Sequence, residues 1–344
     1  MFVDVHTHIY PRAYVDRLRR QAGLPRVEES GGKEYFVIFP VEERKGRAAG
    51  ASPGRPIDTS YTSIEAKLDW MARHRIVHAV VSLGNPWYDF LPADEAPVFA
   101  RQINDILLGY SRAFPDRISC LCALPVQDLD AALAELDRVL EAGARGIILS
   151  TRPAGLRLDD RRLWPLLGRL HTSRCPVLLH PHATVGGDDL EGYDHGLPLV
   201  FGFPFETSVA VARLILSGAL DTFPGLTLIA AHAGGTLPYL AGRLDVWYAS
   251  VGGGWLRSRP GTYLGHLYYD VLTYSAPAVR CALDTAGAGR LMFGSDHPFG
   301  IADVDAVRAS LDAQSLDEVD RQRIAMGNAV DLFRLQDRIP AAGR

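Results

Sequence analysis

The chain has 344 residues, 47% hydrophobic and 22% charged, with a formal charge of -4; this is a globular composition, and the length suits one large α/β domain or two small ones. The slightly acidic balance gives no basic field for nucleic acid or an anionic membrane, which leaves a small molecule as the expected partner. No apolar run reaches the roughly 18 residues of a membrane span, and the N-terminus lacks the basic and apolar regions of a secretory signal.

The first apolar run, Phe2–Ile9, contains Val3-Asp4-Val5-His6-Thr7-His8. Alternate strand residues face one side, so His6 and His8 project together from the strand end. Paired neutral imidazoles suit a borderline divalent metal such as zinc. Residues of about 20–60 then break the rhythm with Gly31-Gly32, a short Tyr35–Phe39 run and a Gly50–Pro56 stretch rich in Gly, Ser and Pro. They read as an insertion folding over the mouth of whatever the strands build.

Thr62-x-x-Glu65 has the form of a capping box ahead of the Ile64, Leu68, Met71 stripe. Strand-like runs follow at His78–Leu83, Ile118–Leu124, Gly146–Ser150, Val177–His180, Leu226–His232, Leu267–Thr273 and Arg290–Ser295. Helical spacing fills the intervals, as in Asp128–Ala142 ending at Gly143 and Glu206–Ser217 ending near Gly218. Further helices are expected around Asp303–Leu311 and Asp317–Leu335, with the last five residues frayed. Cys120, Cys122, Cys175 and Cys281 lie in or beside apolar runs, as buried free thiols do, and a reducing cytoplasm is the expected setting.

Eight strands, each followed by helix, predict a (β/α)₈ barrel forming one domain over residues 1–344; a doubly wound open sheet is the alternative. The polar residues favour closure. His6, His8, Asn85, His180, His232 and Asp296 all end apolar runs, at the rim where a barrel gathers its active site.

His180 closes Val177-Leu178-Leu179, and Asp296 follows Leu291-Met292-Phe293-Gly294-Ser295, where Gly294 permits close approach. A carboxylate buried there without a partner is costly. With His6 and His8 these residues compose a His₃Asp set for one divalent ion, leaving positions open for water or substrate. His232, in Ala230-Ala231-His232-Ala233-Gly234-Gly235, has room around it and an imidazole's aptitude for proton transfer, so acid/base work is assigned to it. His182, His195 and His297 are expected to position neighbours.

These residues resemble the amidohydrolase superfamily, and within it the metal-dependent nonoxidative decarboxylases similar to aminocarboxymuconate semialdehyde decarboxylase. The likeness runs from Val3 to about Leu335 through Leu179-His180-Pro181-His182, Gly202-Phe203-Pro204-Phe205-Glu206-Thr207, His232-Ala233-Gly234-Gly235-Thr236-Leu237-Pro238 and Gly294-Ser295-Asp296-His297-Pro298-Phe299. Gly54-Arg55-Pro56, Ser82-Leu83-Gly84-Asn85-Pro86-Trp87-Tyr88-Asp89-Phe90 and Asp94-Glu95-Ala96-Pro97 look most like the isoorotate (uracil-5-carboxylate) decarboxylases. The resemblance implies that Arg55 holds a substrate carboxylate, Asn85 a ring oxygen or nitrogen, and that Phe299 packs on the ring.

It also implies a homodimer, with Arg243 of one chain approaching the other's site; Trp247 and Tyr248 are the aromatics expected at that contact. The chain departs from the family in its long acidic loop Ala183–Asp194, and in Lys67 and Asp69 where the muconate enzymes carry arginines. Many hydrolases of the superfamily it resembles bridge two metals with a carboxylated lysine from the fourth strand. The only lysines here are Lys33, Lys45 and Lys67, so one ion, Zn²⁺ or Mn²⁺, is expected. Decarboxylation of an aromatic or pyrimidine ring acid is the leading reading, with Asp296 or His232-controlled water supplying the proton. Hydrolysis of a lactone, amide or amidine at the same mononuclear site is the alternative.

Overall fold

A computed structural model describes residues 1–40, 42–43, 54–182, 185–190, 193 and 196–339. His195, Lys45, residues 50–53, part of the 183–194 loop and the last five residues fall outside that set. The chain begins with β1 (Phe2–His8) and passes through an antiparallel trio, β2 (Arg26–Ser30), β3 (Lys33–Val37) and β4 (Arg55–Ile57). It continues as β5 (Ile76–Ser82), β6 (Ile118–Ala123), β7 (Gly146–Ser150), β8 (Pro176–His180), β9 (Thr227–Ala230), β10 (Tyr268–Asp270) and β11 (Leu291–Met292).

β1 and β5 to β11 pair in parallel in chain order. The ring closes where Val5 N–H donates to Phe293 O at 3.1 Å, Ser295 N–H to His6 O at 3.1 Å and His8 N–H to His297 O at 2.8 Å. This is the (β/α)₈ barrel. Its strands carry apolar side chains on both faces, as a parallel sheet wrapped by helices requires; β6 is buried at every residue, Cys120 and Cys122 included.

The main helices are α1 (Arg12–Arg19), α2 (Ile64–Arg73), α3 (Ala96–Ala113), α4 (Leu129–Glu141), α5 (Trp164–Ser173), α6 (Phe203–Leu216), α7 (Leu237–Ser250), α8 (Ala276–Ala286) and α9 (Val304–Asp312). Asp128 caps α4 by accepting from Ala131 N–H, and Asp303 caps α9 by accepting from Ala306 N–H. α2 corrects the capping expectation. Thr62 already belongs to a short helix, Thr59–Thr62, and the extended residue is Ser63, whose hydroxyl accepts from Ala66 N–H at 3.1 Å and donates to Glu65 at 2.8 Å.

Two further expectations change. Tyr248 turns inward, its hydroxyl accepting from the N–H groups of Gly254 and Leu256 at 2.7 and 2.8 Å, while Trp247 stays exposed. The helical stretch Pro198–Leu216, 19 residues of mean hydropathy 1.6, is long and apolar enough to cross a membrane, although half of it is buried as in a core helix. Pro204 and Glu206 divide that stretch in the sequence and hide its length.

Candidate active site

Three barrel strands bring polar residues to the same rim. His6 and His8 leave β1 on one face, His180 ends β8, and Asp296 follows β11. One donor atom from each lies within 4.8 Å of the others, and all four residues are buried. The rings of His6 and His8 stand nearly perpendicular at 5.1 Å, and the His180 ring lies 5.0 Å from His6 and 5.1 Å from His8.

Hydrogen bonding fixes where the nitrogen lone pairs face. His6 Nδ1 donates to Asp270 Oδ2 at 2.7 Å and His180 Nδ1 donates to the Pro181 carbonyl at 2.8 Å, because neither oxygen can donate. Nε2 of each ring is left as the acceptor nitrogen. His8 Nδ1 is held by Ser82 Oγ at 3.0 Å. Inside the cluster, His6 Nε2, His8 Nε2 and Asp296 Oδ1 are buried with no hydrogen-bond partner. Orphaned donor atoms converging in this way are what a divalent cation needs, and the set fits zinc or manganese. Burial pushes His8 down to about 4 and holds His180 well below the imidazole range, so both rings are neutral near pH 7. Burial works against the Asp296 charge, but His6, His232 and His8 keep its carboxyl well below the ordinary value.

The two Asp296 oxygens do different things. Oδ1 faces the cluster, 3.4 Å from His6 Nε2 and 3.3 Å from His8 Nε2, while Oδ2 faces His232 Nε2 at 3.7 Å. His232 lies just past β9 in a tight turn with φ +56°, outside the strand it was expected to end. Asp270 holds that turn by accepting from the N–H groups of His232 and Ala233 at 2.9 and 3.0 Å. It therefore orients both the His6 ring and the His232 turn, and the sequence reading passed over it, although it ends the Tyr268-Tyr269-Asp270 run as His180 ends its own. Gly294 is required here: a Cβ on it would meet His6 Cβ at 2.9 Å and Asp270 Cβ at 3.1 Å.

A cavity of about 450 Å³ opens above the cluster, lined by His180, His232 and Asp296 together with Arg55, Tyr61, Asn85, Phe203, Tyr274 and Phe299. Arg55 arrives on β4 of the insertion. Its Nε donates to Glu42 Oε1 at 2.7 Å, its guanidinium lies 5.6 Å from the Phe299 ring centre, and Nη2 is buried without a partner. Glu42 is itself fixed, Oε2 accepting from Ile38 and Phe39 N–H at 2.7 and 2.9 Å. It escaped the sequence reading because its partner lies across the insertion. Asn85, Phe299 and Arg55 are thus brought to one cavity, and Arg243 is not: it lies on the outer surface between α6 and α7. His182 and His297 sit outside the four-residue cluster. His182 Nε2 is 3.6 Å from Asp89, and burial lowers the imidazole to about 4 while raising that carboxyl to about 7.

A closed barrel with three imidazoles and one carboxylate at its carboxyl rim defines a metal-binding (β/α)₈ enzyme. The chain belongs to the amidohydrolase family, whose profile matches residues 3–335. It is 30% identical over 324 residues to a gamma-resorcylate decarboxylase of Rhodococcus jostii (strain RHA1), covering 86% of this chain and 96% of that one. It is 25% identical over 345 residues to a 2-amino-3-carboxymuconate-6-semialdehyde decarboxylase of Dictyostelium discoideum, covering 97% and 91%. Among solved structures, the apo form of IDCase from Metarhizium anisopliae superposes with a TM-score of 0.90 at 32% identity, covering 98% of each chain.

Proposed function

We propose that the protein is a nonoxidative decarboxylase of a planar ring carboxylate, aromatic or pyrimidine, working with one divalent ion, Zn²⁺ or Mn²⁺, held by His6, His8, His180 and Asp296. The observation that carries this reading is the division of Asp296 between the four-residue cluster and His232, in one cavity with the unpartnered Nη2 of Arg55. The names of the relatives support it, since gamma-resorcylate, 2-amino-3-carboxymuconate-6-semialdehyde and the isoorotate of IDCase are acted on by decarboxylases.

When bound, the ion would supply positive charge that anchors the substrate's oxygens. Arg55 grips the carboxylate through its free edge, Phe299 and Phe203 pack on the ring, and the Asn85 side chain meets a ring oxygen or nitrogen. His232 and Asp296 Oδ2 form the proton path to the ring carbon that carries the carboxylate. That carbon takes the proton; its bond to the carboxylate then breaks, the electron pair returns to the ring, and carbon dioxide leaves. Carbon dioxide release from a panel of hydroxybenzoates and pyrimidine carboxylates tests the reading. Silence across the panel, with hydrolysis of a lactone or amide, would replace it with the hydrolase.

Arg55→Lys is expected to lower kcat/KM by at least about tenfold, about 1.4 kcal/mol. A point charge on a flexible stem can neither keep the Glu42 anchor nor offer the second prong to a carboxylate. Unchanged kinetics with the preferred acid would make β4 a mere covering.

The assembly proposed is a homodimer. Its support is an open apolar groove of about 760 Å³ between α6 and α7, lined by Phe205, Val209, Leu240, Leu244 and Trp247 with Arg243 among them. Apolar surface of this extent is commonly covered by a partner. Arg243 then lends charge to the neighbouring site. Mixing inactive Arg243→Ala and Asp296→Asn subunits is expected to restore part of the activity, because one site of each mixed dimer regains both groups. A fully active monomer in sedimentation at assay concentration would exclude the arrangement. The free thiols support a cytoplasmic setting.

A further inference from the structure

Lys67, on α2, is completely buried, yet it belongs neither to the ligand cluster nor to the cavity lining. A buried ammonium persists only where its protons meet acceptors and its charge meets opposite charge, since desolvating an unpaired ion is costly. Three acceptors surround Nζ: Thr7 Oγ1 at 2.8 Å, His297 Nδ1 at 2.6 Å and the His297 carbonyl at 3.2 Å. Burial pulls the ammonium down to about 7, and Asp4 and Asp296 work against that fall. Trp70, on the same helix, stacks on the His297 ring with centres 3.9 Å apart, so α2 grips that imidazole with two side chains.

The positions gripped are telling. Thr7 separates the ligands His6 and His8, and His297 follows the ligand Asp296. The His297 carbonyl also accepts from Thr7 Oγ1 at 3.0 Å and from His8 N–H at 2.8 Å, so it is pinned from β1 as well as from α2. Asp296 itself has φ +58°, a conformation that non-glycine residues hold only where the surroundings over-determine it. Bonds reaching the neighbouring residue from a separate helix supply such a restraint.

We propose that Lys67 is a positioning residue for the metal centre: through Thr7 and His297 it holds His8 and Asp296 at the spacing a divalent ion requires, touching neither ion nor substrate. It is a lysine that serves a single-ion site from behind rather than bridging two ions. The proposal rests on the four-residue ligand set, and the experiment separates the two. Dissociation constants for Zn²⁺ and Mn²⁺, by competition with a chelator, are measured for wild-type protein and Lys67→Met, together with melting temperatures with and without metal. The expected result is metal binding weaker by at least about tenfold, as for lost partners of metal ligands, and a smaller rise in melting temperature on adding metal. A lysine that only stabilises the fold would lower both melting temperatures equally and leave the dissociation constants unchanged, which would overturn the proposal. Thr7→Val removes the β1 contact while keeping the side chain's shape; it is expected to weaken binding in the same direction, and it carries the test if Lys67→Met does not fold. Unchanged constants in either folded variant overturn the proposal, and wild-type protein that binds neither ion overturns the ligand set with it.

Discussion

Asp296→Ala is expected to leave a folded protein without stoichiometric metal, its turnover lowered by at least about a thousandfold, or about 4 kcal/mol of barrier. Both roles of the side chain vanish together: the cluster loses Oδ1, and His232 loses the oxygen 3.7 Å away. The double variant His6→Ala/His8→Ala removes two ligands and leaves Asp296 in place, so it isolates the ligand contribution. Metal analysis and carbon dioxide release are the measurements. A double variant that keeps one ion per chain and full activity would sink the assignment.

His232→Asn is expected to lower kcat by roughly a hundred- to ten-thousandfold while metal content stays at the wild-type level and KM changes little. His232 lies at the cavity wall with Nε2 toward Asp296 Oδ2, and its backbone, not its ring, is tied to Asp270. Loss of the ring therefore removes a proton path without removing a ligand or a carboxylate grip. Loss of metal in this variant would instead make His232 a ligand, and a kcat within threefold of wild type would deny it acid/base work. The contrast with Arg55→Lys, where the loss is expected in kcat/KM, separates proton transfer from substrate recognition.

The clustering of His6, His8, His180 and Asp296 was legible because its signal is local. Each ligand ends a short apolar run, and a polar tip on such a run has few places to go except the barrel rim. Barrel order, strand positions and the insertion followed from the same alternation. Two of the groups that were missed act through partners far away in the chain: Asp270 lies 264 residues from the His6 ring it fixes, and Lys67 lies 230 residues from His297. No window of sequence contains both ends of such a contact. Local ambiguity explains the smaller corrections. Thr62 and Ser63 are both good caps, and only the short helix before them decides between them; Trp247 and Tyr248 are adjacent aromatics on one helix, and the Gly254–Leu256 backbone claims the second.

The three-stranded sheet of the insertion has a bearing on how substrate preference is inherited. Arg55 and its anchor Glu42 hang from that sheet, whereas the three histidines, Asp296 and Asp270 all stand on or directly after barrel strands. On the proposed reading, the side chain that grips the acid and the groups that hold the ion and move the proton stand on separate parts of the chain, which meet where Arg55 leans over Phe299, Phe36 packs on Tyr10 and Phe39 packs on Phe203. On that reading, chimeras that exchange the β2–β4 segment between relatives are expected to change which ring acid is turned over while keeping the ion and the proton path.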